Sequence, residues 1–506
     1  MDHSLLPGDI PAHHSAARPE AVAVHFGGRD CTWRELERRT DAAARSLVGK
    51  WGVAAGDRVA YLGLNHLDQL VLLFALCRLG AMLVPLNVRL APVEWQSVLD
   101  DCAPVCLLHD AAFGEPASAL AAVTARPAYP IESLGEESST AAAPSAGAAG
   151  DPALLVYTSG TTGRPKGAVH TQANLMANMA AAIQAHNLTS QDRVLTVLPL
   201  FHVGGLCIQT LPALRVGATV LLHSRFDATA TLQALAERRP TLTLLVPAVM
   251  KALLDHPGWP ATDLTSLRAV WAGSSILPEV LVQGFHARGV PVCNVYGATE
   301  TGPFSLALPA DRALDHVGSC GWPALAVEAR LADVRADGVG ELWVRAPQVV
   351  RHYWPQLPAV DADGWFHSGD LARCAADGSY TIVGRARELI ISGGENIYPA
   401  EVENALASHP WVAECAVIGQ PDIIWGQIPV AFVVLRHQNG LQPPPDGPDP
   451  LSNWEQTLRA HLRDRLARYK QPRRWVRLDA LPRTALGKVR ASELGELLTT
   501  SGAPVT

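Results

Sequence analysis

Apolar residues recur along the chain in short runs, separated by segments with helical spacing. Residues 21–26, "AVAVHF", alternate like a half-buried strand. Thr32 and Glu35 then predict a capping box for a helix carrying Leu36, Ala43 and Leu47. Residues 57–64, "DRVAYLGL", and 81–87, "AMLVPLN", read as further strands. The alternation continues to about residue 125 and predicts an α/β fold. The run 70–86, "LVLLFALCRLGAMLVPL", is the most membrane-like. Arg78 and Pro85 interrupt it, so it predicts a buried helix followed by a buried strand, with no membrane span. Residues 135–152 are low in complexity and read as a surface connection. Strands are then expected within 193–200, 218–223, 242–247, 268–273 and 291–297.

After residues 384–387, "GRAR", the pattern changes character. Residues 399–410 predict a helix opened by Pro399, and 412–419 and 429–435 predict strands. Residues 438–450 read as a long loop. Ser452 and Glu455 are expected to cap a helix with Trp454, Leu458, Leu462 and Leu466 on one face. These shifts place a domain boundary near Arg387, giving domains 1–386 and 387–506.

Composition narrows the class. A chain of 506 residues exceeds one compact core, so two or more domains are expected. Apolar content of 48% and charged content of 18% are those of an ordinary soluble enzyme. A formal charge of −7 argues against a general nucleic-acid binder. The nine cysteines are dispersed and form no zinc pattern, which suits a reducing cytoplasm. The opening residues, with acids, histidines and prolines, do not read as a signal peptide. Small-molecule partners are therefore expected, and a homodimer is left open.

One stretch raises a chemical question. Residues 156–170, "VYTSGTTGRPKGAVH", crowd Thr158, Ser159, Gly160, Thr161, Thr162, Gly163 and Lys166 together after a buried strand. Glycines allow close backbone approach, and clustered donors with one ammonium suit a polyphosphate. A polar surface turn is the bland alternative. Lys166 is followed by Gly167, so the pattern is not that of a P-loop NTPase. Other stretches share the flavour. "PLFHVGG" sets His202 beside Gly204 and Gly205. "VYGATET" sets Tyr296, Thr299 and Glu300 after a strand, and a glutamate there suits Mg2+. "GWFHSGD" ends in Asp370, "GRAREL" offers Arg385 and Arg387, and "PRTALGKVR" isolates Lys488. "ISGGENIYPAEVE" reads as a glycine loop leading into a helix start, a second candidate anion site.

In this order the stretches resemble the adenylate-forming superfamily of acyl-CoA synthetases, amino-acid adenylation domains and beetle luciferase. The resemblance runs from about residue 15 to 495. It implies a large multi-sheet N-terminal domain and a small mobile α+β C-terminal domain. It also implies two steps: a carboxylate attacks the α-phosphate of ATP, then a thiol, usually that of coenzyme A, displaces AMP. On the matching positions, Thr158, Ser159, Gly160, Thr161, Thr162, Gly163 and Lys166 would hold the pyrophosphate end, and Glu300 with Thr158 the Mg2+. Tyr296, Gly297, Ala298, Thr299 and the Gly273, Ser274, Ser275 backbone would hold the base. Asp370 and Arg385 would hold the ribose. Arg387 matches the hinge, and Lys488 the lysine that bridges carboxylate and phosphate. Ser392, Gly393, Gly394 and Glu395 match the pantetheine tunnel. Trp425 resembles a position that stacks on the CoA adenine, the alternative being a buried structural tryptophan. Gln471 stands where related ligases place an arginine, and Arg473 or Arg474 is left as the substitute.

The acid is less determined. Adenylation domains for amino acids place an aspartate where this chain has "PLFHVGG", and malonate-type ligases place an arginine before "YG", where Asn294 and Val295 stand here. With no carrier domain read after residue 506, a free-standing CoA ligase is expected. Its acyl pocket is expected to be largely apolar, lined by His202, Val203, Gly204, Val246, Trp271, Ala272, Gly273 and Ala298. The chain looks closest to bacterial ligases of fatty or hydroxycinnamic acids, with a lean towards aryl acids. The alternatives are a silent acyl-adenylate or nucleotide binder, or another acceptor, on the same fold.

Overall fold

A computed structural model describes residues 5–135, 147–158, 165–273, 277–436, 453–463, 465–484 and 488–500. The chain divides into two compact units: 1–275 with 285–330 and 343–368, and 276–284 with 331–342 and 369–506.

The first unit is α/β, as the apolar runs require. Its nine-stranded sheet has the order Trp322–Pro323, Leu306–Ala307, Val292–Tyr296, Ala269–Gly273, Leu242–Leu245, Arg193–Thr196, Thr219–Leu222, Val22–Phe26, Arg29–Thr32. From Val292–Tyr296 to Val22–Phe26 every pairing is parallel. Such strands are buried on both faces, which explains their unbroken apolar runs. An eight-stranded sheet has the order Leu357–Pro358, His352–Tyr353, Lys166–Thr171, Pro152–Thr158, Met82–Leu86, Arg58–Leu62, Cys106–His109, Ala128–Pro130.

The membrane-like run forms the helix Leu67–Leu79, buried at every position, and the strand Met82–Leu86. Gly80, at φ 65°, ends the helix. Arg78 sits in this core because its charge is met: it pairs with Glu37 and donates to the Gly8 carbonyl at 2.8 Å. No helix among the described residues is long and apolar enough to cross a membrane. The capping box expected at the helix Trp33–Trp51 is only half formed. Thr32 Oγ1 accepts from Glu35 N at 3.3 Å, but the Glu35 carboxylate turns to Arg38, a stronger charged partner.

The second unit is built on a five-stranded sheet. Glu395–Ile397, Ile390–Ser392, Gly426–Leu435 and Val412–Asp422 pair antiparallel in that order, and Arg474–Arg477 joins Gly426–Leu435 in parallel. Side chains of Gly426–Leu435 alternate between two cores. Ala431, Val433 and Leu435 meet Leu458, Leu462 and Leu466. Val430 and Phe432 meet Leu494 and Leu498 on the helix Ala491–Thr500. The helix Trp454–Arg463 buries Leu458 and Leu462 as expected, whereas Leu466 joins them from the turn beyond it, and Ser452 lies outside the described residues.

Candidate active site

Strands Pro152–Thr158 and Lys166–Thr171 form an antiparallel hairpin with Thr158 opposite Lys166. Ser159, Gly160, Thr161, Thr162 and Gly163 lie outside the described residues. Lys166 thus opens a strand, not a helix, which separates this loop structurally from a P-loop. Thr158 Oγ1 donates to the Lys166 carbonyl at 3.4 Å. A Cβ at Gly167 would lie 2.6 Å from Leu155 Cδ1, so the glycine is dictated by cross-strand packing.

Three parallel neighbours bring their carboxyl ends to one edge. Val246 follows Leu242–Leu245, Gly273 ends Ala269–Gly273, and Tyr296 ends Val292–Tyr296. Ligands of open α/β sheets bind along such an edge. The turn after Tyr296 is tight: a Cβ at Gly297 would lie 2.1 Å from the Pro303 carbonyl oxygen. Ala298 N then donates to Thr301 Oγ1 at 2.9 Å, closing the single turn Thr299–Thr301 that carries Glu300. Gly273 is fixed by packing as well, its absent Cβ falling 2.4 Å from the Val295 carbonyl oxygen. Ser274 and Ser275 lie outside the described residues. Ala272 is buried, and the Trp271 ring, 1% exposed, packs on His186 at 4.1 Å and Phe304 at 5.9 Å between ring centroids.

His202 and Val203 come after the neighbouring strand Arg193–Thr196, with the His202 ring 4.7 Å from that of Phe201. The two glycines that follow differ in kind. A Cβ on Gly205 would strike the Pro199 carbonyl oxygen at 2.2 Å, whereas one on Gly204 would meet nothing within 4 Å.

Glu300 is gripped twice. Val350 N donates to its carbonyl at 2.8 Å, and the Tyr353 hydroxyl donates to Oε1 at 2.9 Å. The same Tyr353 ring lies 5.4 Å from the Lys166 ammonium. No sequence motif signals Tyr353. Only its place in an aromatic pair, "YW", marks the segment. No group of three or more His, Cys, Asp or Glu side chains among the described residues is arranged to hold a metal. One oriented carboxylate fits Mg2+ nevertheless, because that ion takes one or two carboxylates and completes its shell with substrate phosphates and water. Behind this cluster His170 is buried and neutral, its ring pushed down to about 4 by desolvation.

In the second unit, Asp370 stands opposite Arg385 across the strands Phe366–Cys374 and Tyr380–Arg385, and the two form an ion pair at 2.9 Å. Asp370 is buried. Lys488 is an exposed residue on an irregular segment, where Thr484 N donates to its carbonyl at 2.7 Å. Desolvation of its ammonium lowers the lysine pKa first. Arg385 adds to the lowering, and Asp370 and Glu388 oppose it. Arg387 is exposed and 3.6 Å from the Glu388 carboxylate.

The "SGGEN" stretch corrects the sequence expectation. Gly393 and Gly394, at φ 60° and 88°, close a hairpin between Ile390–Ser392 and Glu395–Ile397. Two successive positive φ values make a hairpin turn of the kind two glycines favour. A strand therefore separates the glycines from the helix Pro399–Ala407, and the helix-start anion site does not form there. Trp425 is 40% exposed, so the buried structural reading fails, and the Arg473 guanidinium sits 3.9 Å above its ring centroid. Gln471 spends its amide on the Leu466 carbonyl at 3.1 Å.

Comparison with known proteins matches residues 12–354 to the AMP-binding enzyme family and residues 401–488 to the AMP-binding enzyme C-terminal domain. An indoleacetate–CoA ligase from Aromatoleum aromaticum is 42% identical, covering 96% of each chain. A feruloyl-CoA synthase from an Amycolatopsis species is 40% identical, covering 96% of this chain and 98% of that one. Among solved structures, an anthranilate CoA ligase in complex with anthranoyl-AMP aligns with a TM-score of 0.90 at 25% identity, covering 99% of both chains. An o-succinylbenzoate CoA synthetase from Bacillus subtilis, in complex with its acyl-adenylate intermediate, aligns with a TM-score of 0.85 at 30% identity, covering 96% of this chain and 97% of the other.

Proposed function

The chain belongs to the AMP-binding enzyme family and is an AMP-forming carboxylate–CoA ligase, and from that premise we propose that its acid is an aromatic monocarboxylate. One observation carries the choice of acid. Two relatives, 42% and 40% identical over nearly the whole chain, are named for indoleacetate and ferulate, acids with an aromatic ring. The site agrees with a single carboxylate. Asn294, which precedes "YG", is buried and spends its amide on the Ser319 carbonyl at 3.1 Å, so no cation stands there for a second acid group. The acyl pocket we assign to His202, Val203, Gly204, Val246, Gly273 and Ala298, with Trp271 and Ala272 contributing as its packed wall.

Roles follow from chemistry and position. Thr158 and Lys166 hold the pyrophosphate end of ATP, together with the loop that joins their strands. Tyr296 and the adjoining Gly297–Thr299 backbone receive the base. Asp370, paired with Arg385, accepts hydrogen bonds from the ribose diol. Glu300, with Thr158, would hold Mg2+, which supplies charge neutralisation on the phosphates. Lys488 places its ammonium between the attacking carboxylate and the α-phosphate. Adenylation makes AMP the leaving group that a bare carboxylate lacks, and the CoA thiol then displaces it. Trp425 with Arg473 stacks on the CoA adenine beside the Ser392–Glu395 turn. Arg387 is the hinge between domains 1–386 and 387–506. Nine cysteines without a disulfide fit a cytoplasmic setting.

Pyrophosphate and AMP release across a panel of acids, with and without CoA, tests the proposal. Indoleacetate, ferulate and related aryl acids should support CoA-dependent AMP formation. Preference for hexanoate to palmitate over every aryl acid would refute the choice of acid without touching the ligase activity.

A further inference from the structure

We propose that Tyr353 is a positioning residue for adenylation, orienting the Glu300 carboxylate for the metal and seating the Lys166 ammonium on its ring. The inference rests on the reading of Glu300 as the metal-side carboxylate. It concerns what makes that carboxylate competent.

The backbone places Tyr353 where it can serve both residues. Tyr353 pairs with Ala168, and Trp354 N donates to the Gly167 carbonyl at 2.7 Å, so the segment is tied to the strand that Lys166 opens. Its ring therefore falls 5.4 Å from the Lys166 ammonium, within reach of a cation–π attraction. From the other side, the segment holds Glu300 by backbone and side chain together, through Val350 N and the Tyr353 hydroxyl. In this pair the Tyr353 hydroxyl is the donor and the Glu300 carboxylate the acceptor. A carboxylate has about four lone-pair sites. The phenol occupies one on Oε1, and Oε2 accepts no hydrogen bond among the described residues. Glu300 is thereby fixed in one orientation with its outer sites kept for metal, the usual effect of a partner behind a metal ligand.

Tyr353→Phe removes only the hydroxyl and keeps the ring and the strand pairing. Mn2+ is the probe, titrated by electron paramagnetic resonance with a non-hydrolysable ATP analogue present. Tyr353→Phe should weaken Mn2+ binding about 10–100-fold, the usual loss when a ligand's supporting partner is removed. Analogue affinity without metal and the melting temperature should stay at wild-type values. In turnover, the Mg2+ concentration for half activity should rise by the same factor, with kcat recovered at saturating Mg2+ and the carboxylate KM unmoved. Tyr353→Leu, which also removes the ring, should additionally weaken the metal-free analogue. Glu300→Gln should weaken Mn2+ binding as well, and Tyr353→Phe added to it should change nothing further. If Glu300→Gln weakens Mn2+ and Tyr353→Phe does not, the positioning role is wrong and the Glu300 reading stands. If Glu300→Gln leaves Mn2+ binding unchanged, both are wrong. A Tyr353→Phe enzyme that loses metal-free analogue affinity or melting temperature equally would make the residue a scaffold only.

Discussion

Lys488 carries its ammonium amid opposed charges, Arg385 and Arg387 on one side of the balance and Asp370 and Glu388 on the other. Negative charge gathers as the acid meets the α-phosphate, so a cation placed there favours the transition state over the ground state. Lys488→Ala should slow adenylation about 10²–10³-fold, the typical loss of one such contact. Supplied with ready-made acyl-adenylate and CoA, the variant should form thioester at a near wild-type rate. Separate measurement of the two half-reactions decides it, since an equal collapse of both removes the assigned role. Glu403 makes a different prediction. Desolvation raises its carboxyl from 4.5 to about 7, with the Val417 N–H opposing and the Glu388 charge reinforcing. The folded state prefers the neutral form. The favourable contribution is complete below the unfolded value and is lost as pH rises through about 7. Glu403→Gln should therefore melt higher than wild type at pH 8, by on the order of 1 kcal/mol, with the gap closing as pH falls towards 5. Thermal melts across that range check the sign.

At the scale of elements, the hairpin at Gly393 and Gly394 separates two causes of one defect. Both residues have positive φ, where a side chain costs about 1–2 kcal/mol. Only Gly393 also faces Trp425, its missing Cβ lying 2.7 Å from the ring, while Gly394 has nothing within 4 Å. Gly393→Ala should raise the KM for CoA well beyond Gly394→Ala, at similar loss of stability, and leave adenylation intact. Equal effects on CoA would mean that Trp425 does not read it. This hairpin also shows where sequence reasoning stops. Alternation along Val430–Val433 and the four-residue spacing of Leu458 and Leu462 announced their strand and helix, because burial imposes those periods. The strand Glu395–Ile397 is too short to show a period, so the glycines before it looked like the start of a helix. Motif order exposed Lys166, Glu300, Asp370 and Arg385 individually. It was silent on the Tyr353–Glu300 bond, which joins residues 53 apart through sheet pairing and not through any local pattern.

At the scale of the whole molecule, the proposal that Arg387 is a hinge makes its own demand: the backbone there has to turn between the half-reactions. Arg387 is exposed on the single turn Ala386–Glu388, none of whose residues is buried. Proline there fixes φ near −65°. Arg387→Pro should spare adenylation and slow thioester formation at least about tenfold, as expected when a hinge is locked in one state. Stopped-flow measurement of each step tests this, and a parallel fall in both would move the hinge elsewhere. The small sheet of the second unit adds a consequence of its own. It lays Leu458 and Leu462 on one side and Leu494 and Leu498 on the other, so both of its apolar faces are clothed by helices from its own stretch of chain. The described members of those two clusters all lie within residues 390–498, while Tyr398 packs separately on Val339 and Leu371. Residues 387–506 should therefore act as a cassette: grafted onto a relative's larger portion, which supplies the surface that receives Tyr398, they should carry Lys488 and the CoA-side turn with them, leaving the choice of acid to the recipient.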